Sequence, residues 1–377
     1  MTWIAIRMLT GDRVKFIGLV FGVAFSALLI TQQLTIFVNL LMRGGVAVQQ
    51  VETVNIWVMD RSGRTIDATL PMPATALERV RGVPGVAWAV PMLRSGATVR
   101  TVEGELEPVN VVGVDDATLI GLPRTMLAGE REALAAPDAV FIDDVGSRKL
   151  FPDGNVVGTR LELNDRRAII SGIVDAIPTF TGTVILYTRY SNALNFIPGS
   201  RNRLSFVIAR SAPGEDPVAV ARRIEAVTGL RARTTEEFTR DGVNFIIENT
   251  GIPINFGITV ALGVVVGIAI VGLTFSLFIR DNIKQFGALK AIGVTNAKIR
   301  GMVATQAALV GLIGYGIGVF LATMFIVSGD GNDAFKGFYI PWQIPVITAA
   351  AVLVMIMLTG AIALRSVLNT EPAEVFR

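Results

Sequence analysis

Residues 15–43 read KFIGLVFGVAFSALLITQQLTIFVNLLMR. Between Lys15 and Arg43 no side chain carries a charge. A helix needs about 20 apolar residues to cross the hydrocarbon of a bilayer, and this run exceeds that. Three more charge-free runs lie between Glu248 and Arg280, between Arg300 and Asp330, and between Lys336 and Arg365. Each of the four is 27 to 31 residues long. Their spacing is uneven: one stands near the start, about 200 residues of ordinary charge-bearing sequence follow, and three come in close succession at the end. The pattern predicts an α-helical membrane protein with four transmembrane helices, one plus three. A large α/β domain lies between the first and the second, displaced to one side of the membrane.

Composition agrees. Of 377 residues, 51% are hydrophobic and 17% are charged, against about 25% charged in soluble domains. The net charge of +3 is small, and no basic patch is interleaved with aromatics, so no nucleic-acid partner is expected. The pI of about 9.4 reflects lysine and arginine at cytoplasmic helix ends. There is no cysteine and no histidine. That excludes disulfides, thiolate chemistry, histidine acid–base catalysis and the common zinc sites. No catalytic residue, metal or cofactor is expected in this chain. The first apolar run follows Arg7, Arg13 and Lys15, but it is longer than a signal peptide's apolar region. The small-residue site Gly44-Gly45-Val46-Ala47 is a poor cleavage site, so a retained helix is expected.

Lysine and arginine in short loops mark the cytoplasmic side. The N-terminal segment carries Arg7, Arg13 and Lys15. The loop after the second span carries Arg280, Lys284, Lys290, Lys298 and Arg300 against Asp281. The loop after the third carries Lys336 against Asp330 and Asp333, and the tail carries Arg365 and Arg377 against Glu371 and Glu374. All agree on both termini inside and the large block outside. Phe338, Tyr339 and Trp342 then sit at the outer start of the fourth span, at headgroup level. The expected segments are 1–45 (cytoplasmic N-terminus and first span), 46–250 (extracytoplasmic α/β domain) and 251–377 (spans two to four, with a cytoplasmic helix at 282–299).

Glycines recur four apart in three spans: Gly18 and Gly22, Gly263 and Gly267, Gly314 and Gly318. Such spacing lets helix backbones approach closely, within one chain or at a dimer seam. Thr31, Gln32, Gln33, Thr35 and Asn39 occupy the outer half of the first span and read as a helix continuing past the headgroups as a stalk. No charge lies within any span, which argues against an ion-coupled transporter.

In the large block, Thr53–Met59, Val109–Val114, Arg167–Val174, Val184–Tyr187 and Leu204–Ala209 have strand character. Thr75–Val83 reads as a helix. So does Asp216–Val227, with Asp216 as N-cap, Pro217 in the first turn and Gly229 near the end. A helix leading through Gly82–Val86 into a strand is echoed by a helix leading through Thr228–Leu230 into Arg231–Thr234. Two units of similar style form a split domain on this reading. The paired acids Asp115-Asp116 and Asp143-Asp144 read as turn and cap residues.

A P-loop requires lysine followed by serine or threonine. The six lysines are followed by Phe16, Leu150, Gln285, Ala291, Ile299 and Gly337, so any ATP used is bound by another chain. The most specific segment is Asp281–Arg300, DNIKQFGALKAIGVTNAKIR. Ile283, Phe286, Leu289 and Ile292 recur every three residues, an amphipathic helix with an apolar stripe for lipid or a partner groove; Gly293 ends or kinks it, and Ala297–Arg300 leads into the third span.

Phe286-Gly287-Ala288-Leu289-Lys290-Ala291-Ile292-Gly293 resembles the coupling-helix motif of FtsX/MacB-type permeases, the mechanotransmission class of ABC transporters. The tail, Glu371–Arg377, resembles that family's Pro-Ala-Glu-x-Leu-Arg ending, and the one-plus-three layout resembles it over the whole chain. Gly82–Val86 and Phe206–Glu225 resemble its periplasmic core domain. Where the family usually has Arg-Glu before Ile-Gly, Lys284-Gln285 stands here, so any ion pair made by that glutamate is unaccounted for. The Gln-Phe-Gly-Ala-Leu-Lys run is closest in style to DevC-like permeases. The resemblance implies a homodimer in the bacterial inner membrane. A separate ABC ATPase subunit binds ATP and Mg, and Ile283, Gln285, Phe286, Gly287, Leu289, Lys290, Ile292 and Gly293 contact it. It also implies that motion, not cargo, passes through the spans, with an HlyD-like adaptor and an outer-membrane channel completing an efflux path. Lipoprotein release from the inner membrane and FtsX-like signalling to a cell-wall hydrolase are the alternatives within the family.

Overall fold

The computed structural model describes residues 2–68, 70–101, 104–154, 156–180, 182–199, 202–329 and 332–368, with side chains described as far as residue 363 of the last helix. The tail motif Glu371–Arg377 lies outside the described residues. Two compact units form, Met1–Asn39 with Gly251–Arg377, and Leu40–Thr250.

The chain opens with a short helix, α1 (Thr2–Gly11), and turns at Asp12 into α2 (Arg13–Gln49). The Asp12 carboxylate accepts from the Lys15 backbone N–H at 3.2 Å, as a helix N-cap does. At 1.5 Å per residue α2 is about 55 Å long. Residues 13–39 belong to the membrane unit and 40–49 to the α/β unit. The expected boundary at residue 46 therefore falls inside the α/β unit, because Gly44 and Gly45 pack within it.

The strands of the α/β unit are β1 (Ile56–Met59), β2 (Met72–Pro73), β3 (Val86–Arg100), β4 (Leu106–Val114), β5 (Met126–Ala128), β6 (Ala139–Asp143), β7 (Arg160–Leu163), β8 (Arg166–Val174), β9 (Val184–Arg189), β10 (Arg203–Leu204), β11 (Phe206–Ser211) and β12 (Arg231–Thr234). Its helices are α3 (Thr75–Arg81), α4 (Asp144–Leu150), α5 (Tyr190–Phe196), α6 (Pro217–Thr228) and α7 (Thr235–Asn249).

Four antiparallel strands run β12-β1-β11-β3. In chain order they are β1-α3-β3 and β11-α6-β12, the split β-α-β arrangement of ferredoxin-like sheets. The internal echo is this pseudo-repeat. Successive side chains on a strand point to opposite faces, and β1 uses both. Ile56 and Val58 bury against Ala76, Val80, Val220 and Ile224 of α3 and α6. Trp57 and Met59 bury on the other face, where Trp57, Phe206 and Phe238 of α7 form an aromatic trio with centroids 5.6 to 5.9 Å apart. Helix α6 has Asp216 as N-cap and Gly229 in left-handed conformation at its end.

β2, between β1 and α3, pairs with β10 in a separate two-stranded sheet, and strands β4 to β10 are an insertion between β3 and β11. β3 outruns the four-stranded sheet and pairs with β4 from Leu93 to Arg100. The ladder continues β4-β9-β6-β8-β7 and returns to β3. Six strands thus close on themselves around Val99, Val111, Ile142, Leu163, Ile170 and Leu186. Closure removes the exposed edges that invite unwanted pairing. Asp143 caps α4 through the Gly146 N–H at 3.0 Å and also accepts from the Ile185 N–H at 2.7 Å. Asp144 pairs with Arg148 at 3.1 Å. Asp115 accepts from Thr118, and Asp116 accepts from the Ser191 N–H. The paired acids hold turns and helix starts.

The membrane unit is completed by α8 (Ile252–Asp281), α9 (Ile283–Ala291), α10 (Asn296–Ser328) and α11 (Gln343–Leu368). Among the described residues, α2, α8, α10 and α11 are the helices long and apolar enough to cross a membrane. The six spaced glycines all face helices of the same chain. A Cβ on Gly22 would lie 2.8 Å from Ile270 Cγ2, and one on Gly267 would collide with Ser26 Oγ. These lock α2 onto α8, with Gly18 and Gly263 in ordinary contact at 3.6 and 3.5 Å. A Cβ on Gly314 would lie 2.6 Å from Val23 Cβ, and one on Gly318 2.5 Å from the Ala24 carbonyl, so α10 approaches α2 at backbone distance.

The stalk reading of the polar residues in α2 is corrected. Thr31, Thr35 and Asn39 are buried. Spaced four apart, they share one face. Thr31 and Thr348 hydroxyls lie 3.0 Å apart. Asn39 donates to the Tyr339 carbonyl at 2.7 Å and accepts from its N–H at 3.2 Å. These side chains form a polar seam inside the membrane unit, not a solvated extension.

Candidate coupling surface

The segment singled out by sequence is α9, a nine-residue helix joined to α8 through Asn282. Asn282 donates back to the Phe278 carbonyl at 2.8 Å, closing the α8 C-terminus. At the other end Gly293 takes a φ of +90 with open space around its missing side chain. Its N–H bonds the Lys290 carbonyl and the Val294 N–H bonds the Leu289 carbonyl, both at 3.0 Å. That is how glycine ends a helix. The expected helix at 282–299 is therefore two pieces, because Gly293 turns the chain and Asn296–Arg300 is the first turn of α10.

The apolar stripe does not form one exposed face. Phe286 is 1% exposed and sits in the membrane unit's own core with Leu9, Phe278, Ile279, Ile299 and Val303. Gly287 is buried, Ile283, Leu289 and Lys290 are half-buried, and Ile292 is 78% exposed. The face turned outward carries Lys284, Gln285, Ala288, Ala291 and Ile292, positions that share a side at helical spacing.

Two features beside α9 had weaker sequence signals. Helix α1 buries Ala5 and Leu9, and the Ala5 carbonyl accepts from the buried Gln306 of α10 at 2.8 Å. The Ala5–Leu9 spacing of four was the available sign. Lys15, in the first turn of α2, pairs with Asp12 at 2.7 Å and also with Asp281 at the end of α8. The hydrogen bond from Lys15 holds the Asp12 carboxyl below the usual carboxylate range. Gln285, Asp281 and Asn282 line a polar cleft of about 560 Å³ with Trp3, Arg7 and Lys15. The Arg7 guanidinium lies 5.2 Å from the Trp3 ring centre, within cation–π range. Among the described residues no cluster of acidic, histidine or cysteine side chains could hold a metal. What the site offers is a short helix between two spans, α8 and α10, with the end of α8 tied by charge to the foot of α2.

Residues 16–227 match the family model of the MacB-like periplasmic core domain, and residues 257–372 match that of the FtsX-like permease C-terminal region. The first match alone covers more than half of the chain. The chain belongs to the MacB/FtsX-like permease family. It is 25% identical over 328 residues to the macrolide export ATP-binding/permease protein MacB of Agrobacterium fabrum, covering 80% of this chain and 48% of that protein. The chain thus spans about half the length of the curated relative it matches. Among solved structures, the periplasmic region of MacB from Actinobacillus actinomycetemcomitans is 16% identical and aligns over 54% of this chain and 96% of that one, with a TM-score of 0.38. The extracellular domain of the noncanonic ABC-type transporter YknZ from Gram-positive bacteria is 14% identical, over 48% and 98%, with a TM-score of 0.36. Membership makes this a multi-pass membrane protein and an ABC-transporter permease. The MacB-like match takes in the first span together with most of the α/β block, and the FtsX-like match takes in the last three spans.

Proposed function

We propose that this chain is the membrane subunit of an ABC exporter of the bacterial inner membrane, with both termini cytoplasmic. A partner ATPase subunit binds ATP and Mg and grips α9. Its closure on ATP displaces α9, and the displacement passes to α8 through Asn282 and to α2 through the Asp281–Lys15 pair. Because α2 contributes to both units, motion at its foot reaches the α/β unit. There it drives cargo already outside the membrane through an HlyD-like adaptor and an outer-membrane channel, with two permease copies acting together.

The observation that carries this reading is the outward face of α9. It is a short helix whose core side is locked into the permease by Phe286 and whose other side, Lys284, Gln285, Ala288 and Ile292, is exposed, with no covering element among the described residues of its unit. The test is co-purification of MgATP hydrolysis with the tagged permease. Ala288→Arg and Ile292→Asp are expected to leave the permease at normal levels in the membrane and to remove the ATPase. Retention of full ATPase by both variants contradicts the docking face.

A further inference from the structure

A trough runs along the membrane unit between α10 and α11. Its volume is about 690 Å³, and of its fifteen lining residues only Arg300 is charged. Val303, Gly311 and Val352 form the buried floor, while Leu312, Leu353 and Met357 stand exposed along the walls. Alanine and glycine keep it open: Ala304, Ala308 and Gly360 line it, and a Cβ on Gly360 would meet no atom within 4 Å. At the far end the Tyr315 hydroxyl is already engaged, donating to the Pro345 carbonyl at 3.1 Å. At the near end Arg300 is exposed, and among the described residues its guanidinium has no hydrogen-bond or ion-pair partner.

The dimensions suit one kind of occupant. From Arg300 to Tyr315 the trough is about 22 Å long at 1.5 Å per residue. One leaflet of hydrocarbon is about 15 Å deep, half of the bilayer core. A cation at headgroup level followed by an uncharged channel one leaflet deep matches a phospholipid standing in its own leaflet. Lys298, also exposed, adds a second positive charge at the same end. A guanidinium recognises phosphate through charge-assisted hydrogen bonds. We propose that the α10–α11 trough binds one anionic phospholipid, with its phosphate on Arg300 and an acyl chain lying past Ala304 and Ala308 toward Tyr315. In the orientation proposed above, this is a lipid of the cytoplasmic leaflet.

The experiment is native mass spectrometry of the full-length permease in detergent, titrated with phosphatidylglycerol, phosphatidylcholine or inorganic phosphate. One phosphatidylglycerol is expected to bind ahead of phosphatidylcholine, with no competition from inorganic phosphate. Arg300→Gln should weaken it about tenfold, the loss of one charged hydrogen-bonding group. Gly360→Phe and Ala308→Phe, which fill the trough from opposite walls, should abolish it with the thermal unfolding midpoint held. Equal lipid occupancy in the wild type and Arg300→Gln would mean ordinary annular lipid and overturn the proposal, as would competition by inorganic phosphate. A single cysteine at Ala308 that cross-links to its twin in membranes would make the trough a seam between two copies instead. No ATPase is needed, so failure here leaves the docking face of α9 untouched.

Discussion

Phe286 and Ile292 lie on the same three-residue repeat and have opposite fates. Phe286 closes the core under α9, and Ile292 points outward at 78% exposure. Aspartate at Phe286 buries an unpaired charge at a cost of about 3–5 kcal/mol, a large share of the 5–15 kcal/mol that holds typical domains folded. Phe286→Asp is therefore expected to lower the amount of permease in the membrane, in a quantitative immunoblot, where Ile292→Asp does not. Equal accumulation of the two would place Phe286 at the partner interface after all. The sequence could not make this distinction. Spacing shows which residues share a side of a helix, but the neighbour that side meets is set by α1, α8 and α10, distant in the chain. Asp216, Pro217 and Gly229 were legible for the converse reason, since their work is local to α6.

Among the elements, α7 was the least legible and has a specific mechanical place. Its capping box, Thr234 with Glu237, is present in full, and its buried side is carried by Phe238, Gly242 and Ile246. Within the α/β unit it crosses the last turns of α2 at glycine distance. A Cβ on Gly242 would collide with the Gly44 carbonyl, and one on Gly45 would lie 2.5 Å from Thr239 Cγ2. From sequence, Gly44-Gly45 suggested only a poor cleavage site, because a glycine pair gives no hint of the second helix it admits. Gly242→Val must push the two helices apart, at about 1–3 kcal/mol. Trypsin is then expected to cut the full-length chain after Arg43 faster than in the wild type, and an unchanged rate would mean that the crossing carries no strain. The polar seam of α2 was misread for a related reason. Thr31, Thr35 and Asn39 look like surface residues until α11 supplies Thr348 and the segment before it supplies the Tyr339 backbone.

At the scale of the whole molecule the layout was open to reading from charge alone, because a bilayer forbids charge over some 20 residues and no local rule competes with that. The MacB-like α/β unit was less open. Its closed six-stranded ring depends on β3 pairing with β7, more than sixty residues away, and long-range pairing leaves no local mark. Topology has a clean test, since the chain has no native cysteine. A cysteine at the exposed Asp165 is expected to react with an impermeant maleimide in intact spheroplasts, and one at Lys284 only after lysis. The reverse pattern would invert the orientation. The central claim is that ATP turnover enters this permease through the outward face of α9, and site-specific cross-linking to the ATPase during MgATP turnover tests it most directly. Cysteines at Gln285, Ala288 and Ile292 should each capture the ATP-binding subunit, with yields that change between the ATP-bound and ADP-bound states, while a cysteine at the buried Phe286 should not. Cross-links absent from all three α9 positions, in a complex that still hydrolyses ATP, would contradict the account.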